Sequence, residues 1–140
     1  MTNIITKALN NECFKFKCID DRQIYFTYEG KDFSFYYLNE EAILRYLKIL
    51  GIEKTLKNIH RNFDAIEVMR KRETLYMYKG ERTGEWFVSI YKKLPKKEVY
   101  GEAMSSKAKE EYLEVLTMLE KRTQLIVGKA IRIERSMRKK

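Results

Sequence analysis

Cys13-Phe14-Lys15-Phe16-Lys17-Cys18 alternates apolar and charged residues, and a period of two marks a strand with one buried face. The alternation predicts Phe14, Phe16 and Cys18 on the inner face and Lys15 and Lys17 on the outer one. Asp20-Asp21 supplies a turn. Ile24-Tyr25-Phe26-Thr27-Tyr28 and Phe33-Ser34-Phe35-Tyr36-Tyr37 then follow, separated by Glu29-Gly30-Lys31 and rich in the aromatic and β-branched residues that favour strands. Three strands joined by short turns read as an antiparallel meander. Phe14, Phe16, Ile24, Phe26, Phe33 and Phe35 are expected in the core.

Downstream the period changes. Asn39 is a strong N-cap and Glu40-Glu41 complement the helix dipole, which predicts a helix over 40–50 with Gly51 as its stop. Ile52, Leu56, Ile59, Phe63, Ile66 and Met69 recur every three or four residues and predict a second helix up to about residue 71. Residues 74–79 and 85–93, joined by Gly80-Glu81-Arg82-Thr83-Gly84, read as a second hairpin, and Leu94-Pro95-Lys96-Lys97 as a connector.

From Ser105 to about Met137 there is no proline, and Ser105 or Ser106 can cap a helix whose early turns carry Glu110, Glu111 and Glu114 and whose end is basic. Tyr112, Leu116, Leu119, Thr123, Ile126, Ala130, Ile133 and Met137 keep a four-three-four spacing, a coiled-coil-like seam. Such a helix is a rod of roughly 50 Å. It either overhangs a compact body or breaks at Gly128, since glycine costs about 1 kcal/mol in a helix interior. An unbroken rod leaves its distal seam in need of cover, and a homodimer through Leu119, Ile126, Ala130, Ile133 and Met137 is expected. The whole predicts an α+β fold with an antiparallel sheet (three-stranded meander plus a second hairpin), two central helices and a long basic C-terminal helix. Residues 1–104 are expected to form the core domain and 105–140 an oligomerisation or partner arm.

Charge is distributed unevenly. Of the formal net charge of +9, most sits in the last twenty residues, where Lys121, Arg122, Lys129, Arg132, Arg135, Arg138, Lys139 and Lys140 are opposed only by Glu134. The first 120 residues are close to neutral, with 21 basic and 19 acidic side chains. Concentrated like charge repels itself, so the arrangement fits an anionic partner. With the seam inward, these cations fall on the solvent face, the pattern of a surface that binds phosphate backbones by releasing counterions. Lys92, Lys93, Lys96 and Lys97 form a second cluster. The plain alternative is a solubilising tail. Lys15, Lys17, Tyr25 and Tyr36 on the outer sheet face are a softer candidate, because aromatics interleaved with lysines stack bases in single-strand platforms. Cross-strand tyrosines also stabilise a sheet with no ligand.

Other chemistries find little support. His60 is the one histidine and reads as structural rather than as a general base. Cys13 and Cys18 do not have zinc-site spacing and are expected to be reduced, and no metal or cofactor is expected. Glu29 and Lys31 with Asp20-Asp21 do not converge as a metal-dependent nuclease requires, and no glycine-rich phosphate loop is present. No apolar run reaches the ~18 residues of a membrane span, and Met1 to Lys7 lacks a secretory layout. The bias toward Lys, Glu, Ile and Tyr suits an AT-rich genome, and a location in the cytoplasm of a bacterium or a phage-infected host cell is expected.

The expected role is therefore a small non-enzymatic protein that contacts nucleic acid, or a complex containing it, through the C-terminal helix. A phage-type or regulatory inhibitor of a host nucleic-acid-processing complex, anti-defence or anti-CRISPR-like, would use the same cations. An oligomeric binder of a small anionic nucleotide would need a concave pocket lined by Tyr and Arg.

Overall fold

A computed structural model describes residues 10–19, 23–94 and 101–138, without the side chains of Ile19, Tyr36 and Arg138. The fold is α+β. Among these residues six strands form one mixed sheet: β1 (Lys15–Ile19), β2 (Gln23–Tyr28), β3 (Lys31–Tyr36), β4 (Tyr76–Lys79), β5 (Trp86–Ser89) and β6 (Glu102–Ala103), in the order β1-β2-β3-β5-β4-β6. The helices are α1 (Glu40–Lys71) and α2 (Ser106–Arg138).

The first three strands pair antiparallel, as the alternation predicts. The sheet as a whole is not antiparallel. β5 joins β3 in parallel through Phe33 and Trp86, because α1 carries the chain back to start the β4–β5 hairpin from the same side. β6, which the sequence does not announce, adds to β4, and Met104 N–H donates to Leu75 O at 2.9 Å just beyond it.

Register inside β1 corrects a second expectation. Phe16 lies opposite Phe26, but Cys18 lies opposite Tyr25, so Lys17 is an extra residue in a β-bulge. Directly opposed residues share a face, and Tyr25 alternates with the buried Ile24 and Phe26. The bulge thus turns Cys18 outward and leaves it exposed, while Cys13 stays half-buried; both thiols are free.

The expected pair of central helices is one 32-residue element with a kink. Asn39 Oδ1 accepts from Ala42 N–H at 2.9 Å, capping it as predicted. At Gly51 the backbone takes φ 85° and ψ 167°, and helical geometry resumes at once with no intervening loop. That region is nearly closed to residues with a Cβ. Gly51→Ala should therefore cost about 1–3 kcal/mol in chemical denaturation. A Cβ there would meet no atom within 4 Å, so the loss would be conformational and not steric.

Gly128 behaves in the opposite way, and α2 runs unbroken through it. Ile126, Val127 and Ala130 are buried around it, and their burial outweighs the glycine's helix penalty. The nearest atom to an added Cβ is Arg132 Nη1 at 3.7 Å, an ordinary contact. Gly128→Ala should raise the unfolding free energy by about 0.5–1 kcal/mol, and a loss in the same denaturation assay would contradict a continuous helix.

One core runs through sheet and helices. Phe14, Ile24, Phe26 and Phe33 from the sheet side pack with Tyr112, Leu116 and Leu119 of α2 and with Ile43, Leu47, Ile59 and Ile66 of α1. Within the expected 105–140 segment, Ala108, Tyr112, Val115, Leu116, Leu119, Ile126, Val127 and Ala130 belong to the same core as the sheet and α1. The seam as far as Ala130 thus finds its cover within its own chain.

Candidate nucleic-acid interface

α2 is fastened to the body along most of its length. Ser105 Oγ accepts from Ala108 N–H at 3.1 Å and caps the helix. Glu111 Oε1 accepts the amide of Cys13 at 2.6 Å, and Lys107 pairs with Glu12. Burial, with the Glu111 carboxylate adding to it, pushes the Cys13 thiol above its ordinary range. Lys109 Nζ donates to the carbonyls of Arg72 and Glu73. Arg70 of α1 reaches across to Thr117 Oγ1 at 3.0 Å and Glu120 at 3.2 Å. These links fix which face of α2 looks inward.

The cations divide into two groups. Arg122 is half-buried beside Tyr37, whose phenol is pushed up by burial and partly lowered again by that guanidinium. Lys129 pairs with Glu40 at 3.6 Å, with both partners well exposed, so the contact is weak. Lys121, Arg132 and Arg135 are exposed and make no hydrogen bond or ion pair among the described residues. On a helix of 100° per residue, Lys121, Leu125, Lys129 and Arg132 fall within about 80° of one another on the outer face, with Arg135 at its flank. Lys121 to Arg135 spans roughly 21 Å along the axis, the rise of about six base pairs of duplex.

The far end of the seam does overhang. Ile133 is 37% and Met137 65% exposed, whereas Leu119, Ile126 and Ala130 are buried in their own chain. Of the five residues expected to join two copies, only Ile133 and Met137 are open to a second molecule. The sequence reading also missed an apolar element on the cationic face: Leu125 is 68% exposed, with Met118 one heptad before it and Arg132 one heptad after. Spacing by seven on the polar side of the seam was the available signal.

The remaining candidates are placed less favourably. On the outer sheet face, Lys15 Nζ donates to Asn11 O at 2.6 Å, Lys17 pairs with Asp32 at 3.3 Å, and Tyr25 donates to Gln23 Oε1 at 2.5 Å. Those groups are engaged with neighbours rather than presented as a platform. Lys92 and Lys93 are exposed. Lys96, Lys97, Lys139 and Lys140 lie outside the described residues, as do Asp20-Asp21 and the side chains of Tyr36 and Arg138. His60, expected as a structural histidine, is exposed on α1, 6.3 Å from the ring of Phe63. Lys31 is drawn into the fold, 5.2 Å from the Trp86 ring and 3.7 Å from Glu102. Among the described residues no group of three or more His, Cys, Asp or Glu side chains could hold a metal ion, and no helix is long and apolar enough to cross a membrane.

No family model, curated protein or solved structure matches this chain.

Proposed function

We propose that this protein is a non-enzymatic binder of nucleic acid, or of a complex that contains it, acting in the cytoplasm of a bacterial or phage-infected cell. The outer face of α2 supplies the contacts: Lys121, Arg132 and Arg135, with Lys129 shared with Glu40. Arg138, Lys139 and Lys140 extend the charge at the chain end. The observation that supports this reading most is the set of three exposed cations without carboxylate partners among the described residues, on one side of an unbroken helix. Counterion release makes such a surface useful to a phosphate backbone without any base readout.

Salt is the diagnostic variable. Anisotropy titrations of a labelled duplex should give a log K against log salt slope of about −3 to −5, the value for three to six neutralised phosphates at 0.9 each. A slope near zero, or no binding at about 50 mM salt, would end the proposal.

Leu125 favours a second reading. An apolar side chain in the middle of a cationic face contributes nothing to phosphate binding but suits the buried centre of a protein interface. An inhibitor that docks on a nucleic-acid-processing complex would use both. Capture of such a complex should then survive nuclease treatment, whereas a direct nucleic-acid binder loses its partner.

A further inference from the structure

Beyond the helix face, we infer that the hollow inside the bend of α1 is a binding site for a nucleoside monophosphate. The bend creates it. In a regular helix a threonine hydroxyl donates to the carbonyl four residues back, as Thr117 Oγ1 does to Leu113 O at 2.9 Å in α2. For Thr55 that carbonyl belongs to Gly51, whose ψ of 167° swings it out of the helical line. Thr55 is 2% exposed and its Oγ1 has no hydrogen-bond partner among the described residues. A buried hydroxyl left unpaired is costly, and a polar ligand group brought against it would relieve that cost.

That threonine lines a hollow of about 250 Å³ together with Leu38, Tyr46, Asn58, Ile59, Arg61 and Asn62. Thr55, Asn58 and Asn62 follow at spacings of three and four, so a hydroxyl and two carboxamides share one stripe of the helix. Asn58, Arg61 and Asn62 are exposed and make no hydrogen bond or ion pair among the described residues. Among the described residues no carboxylate lines the hollow, and Arg61 gives it a positive charge. Its volume equals roughly eight waters, below the usual range for drug-sized ligands, so it has room for the base of a nucleotide whose phosphate extends outward to the exposed Arg61. Tyr46, Leu38 and Ile59 offer apolar wall to a planar base. The carboxamides can meet a base's donor and acceptor groups, and Arg61 can take the phosphate.

The test is calorimetric titration of the whole chain with the four ribonucleoside 5′-monophosphates, with adenosine and with inorganic phosphate. At least one monophosphate should bind with Kd at or below about 1 mM, and adenosine and phosphate should each bind at least about tenfold more weakly. Thr55→Val and Arg61→Gln should each lose about tenfold or more, with circular dichroism confirming that both variants fold. Failure of all four monophosphates, equal binding of inorganic phosphate alone, or unchanged affinity in both variants would overturn the site. The triple replacement of Lys121, Arg132 and Arg135 by Gln should leave monophosphate binding intact, which separates this site from the α2 face.

Discussion

Phe14→Ala is expected to lower the unfolding free energy by about 3–5 kcal/mol, the usual cost of emptying a fully buried phenylalanine site. Phe14 is 0% exposed, and its ring meets four others: Tyr28 at 5.0 Å, Phe26 at 5.4 Å, Tyr112 at 5.7 Å and Phe33 at 6.0 Å. Three of those rings belong to the sheet and one to α2, so the cavity would loosen both at once. A domain of this size is typically stable by about 5–15 kcal/mol, so the variant should unfold at a much lower urea concentration. A loss below about 1 kcal/mol would mean that Phe14 is not the hub these distances describe.

Replacing Lys121, Arg132 and Arg135 together by Gln should weaken duplex binding roughly 100-fold at low salt, at about 1 kcal/mol for each phosphate contact. The salt slope should become shallower by about 2–3 in the same titration. Stability should hardly move, because exposed side chains without partners contribute within about 0.5 kcal/mol. The proper comparison is Lys48, Lys54 and Lys57 replaced by Gln, which removes the same net charge from exposed positions on α1. Equal weakening in both triple variants would show a response to total charge and remove α2 as the contact surface.

The parts of this fold legible in sequence are those set by neighbours in the chain. β2 and β3 were legible because Ile24, Phe26 and Phe33 alternate with polar residues across a tight turn, and the Asn39 cap is a local hydrogen bond. The parallel meeting of Phe33 with Trp86 was not, since α1 sets it and nothing within either strand encodes it. Cys18 was assigned to the wrong face because alternation counts residues, and one inserted residue at Lys17 reverses the phase. A glycine marks a helix end and a helix kink alike. Gly51 and Gly128 differ only in what surrounds them: one adopts a backbone that only glycine tolerates, and the other lies among buried Ile126, Val127 and Ala130. The cationic face was legible as a pattern of charges, but its division was not. Arg122 lies beside Tyr37 and Lys129 within weak pairing distance of Glu40, neighbours far away in the chain. The α1 hollow needed the kink itself, although a threonine four residues after a glycine was there to be noticed.

The inserted residue in β1 also governs how this molecule meets copies of itself. Among the described residues β1 and β6 are the sheet's two edge strands, the places where a foreign strand could extend it into a fibril. One edge is bent at Lys17 and carries exposed lysines, and the other is two residues long. Among the described residues neither presents the long straight run of free amides and carbonyls on which templated growth builds.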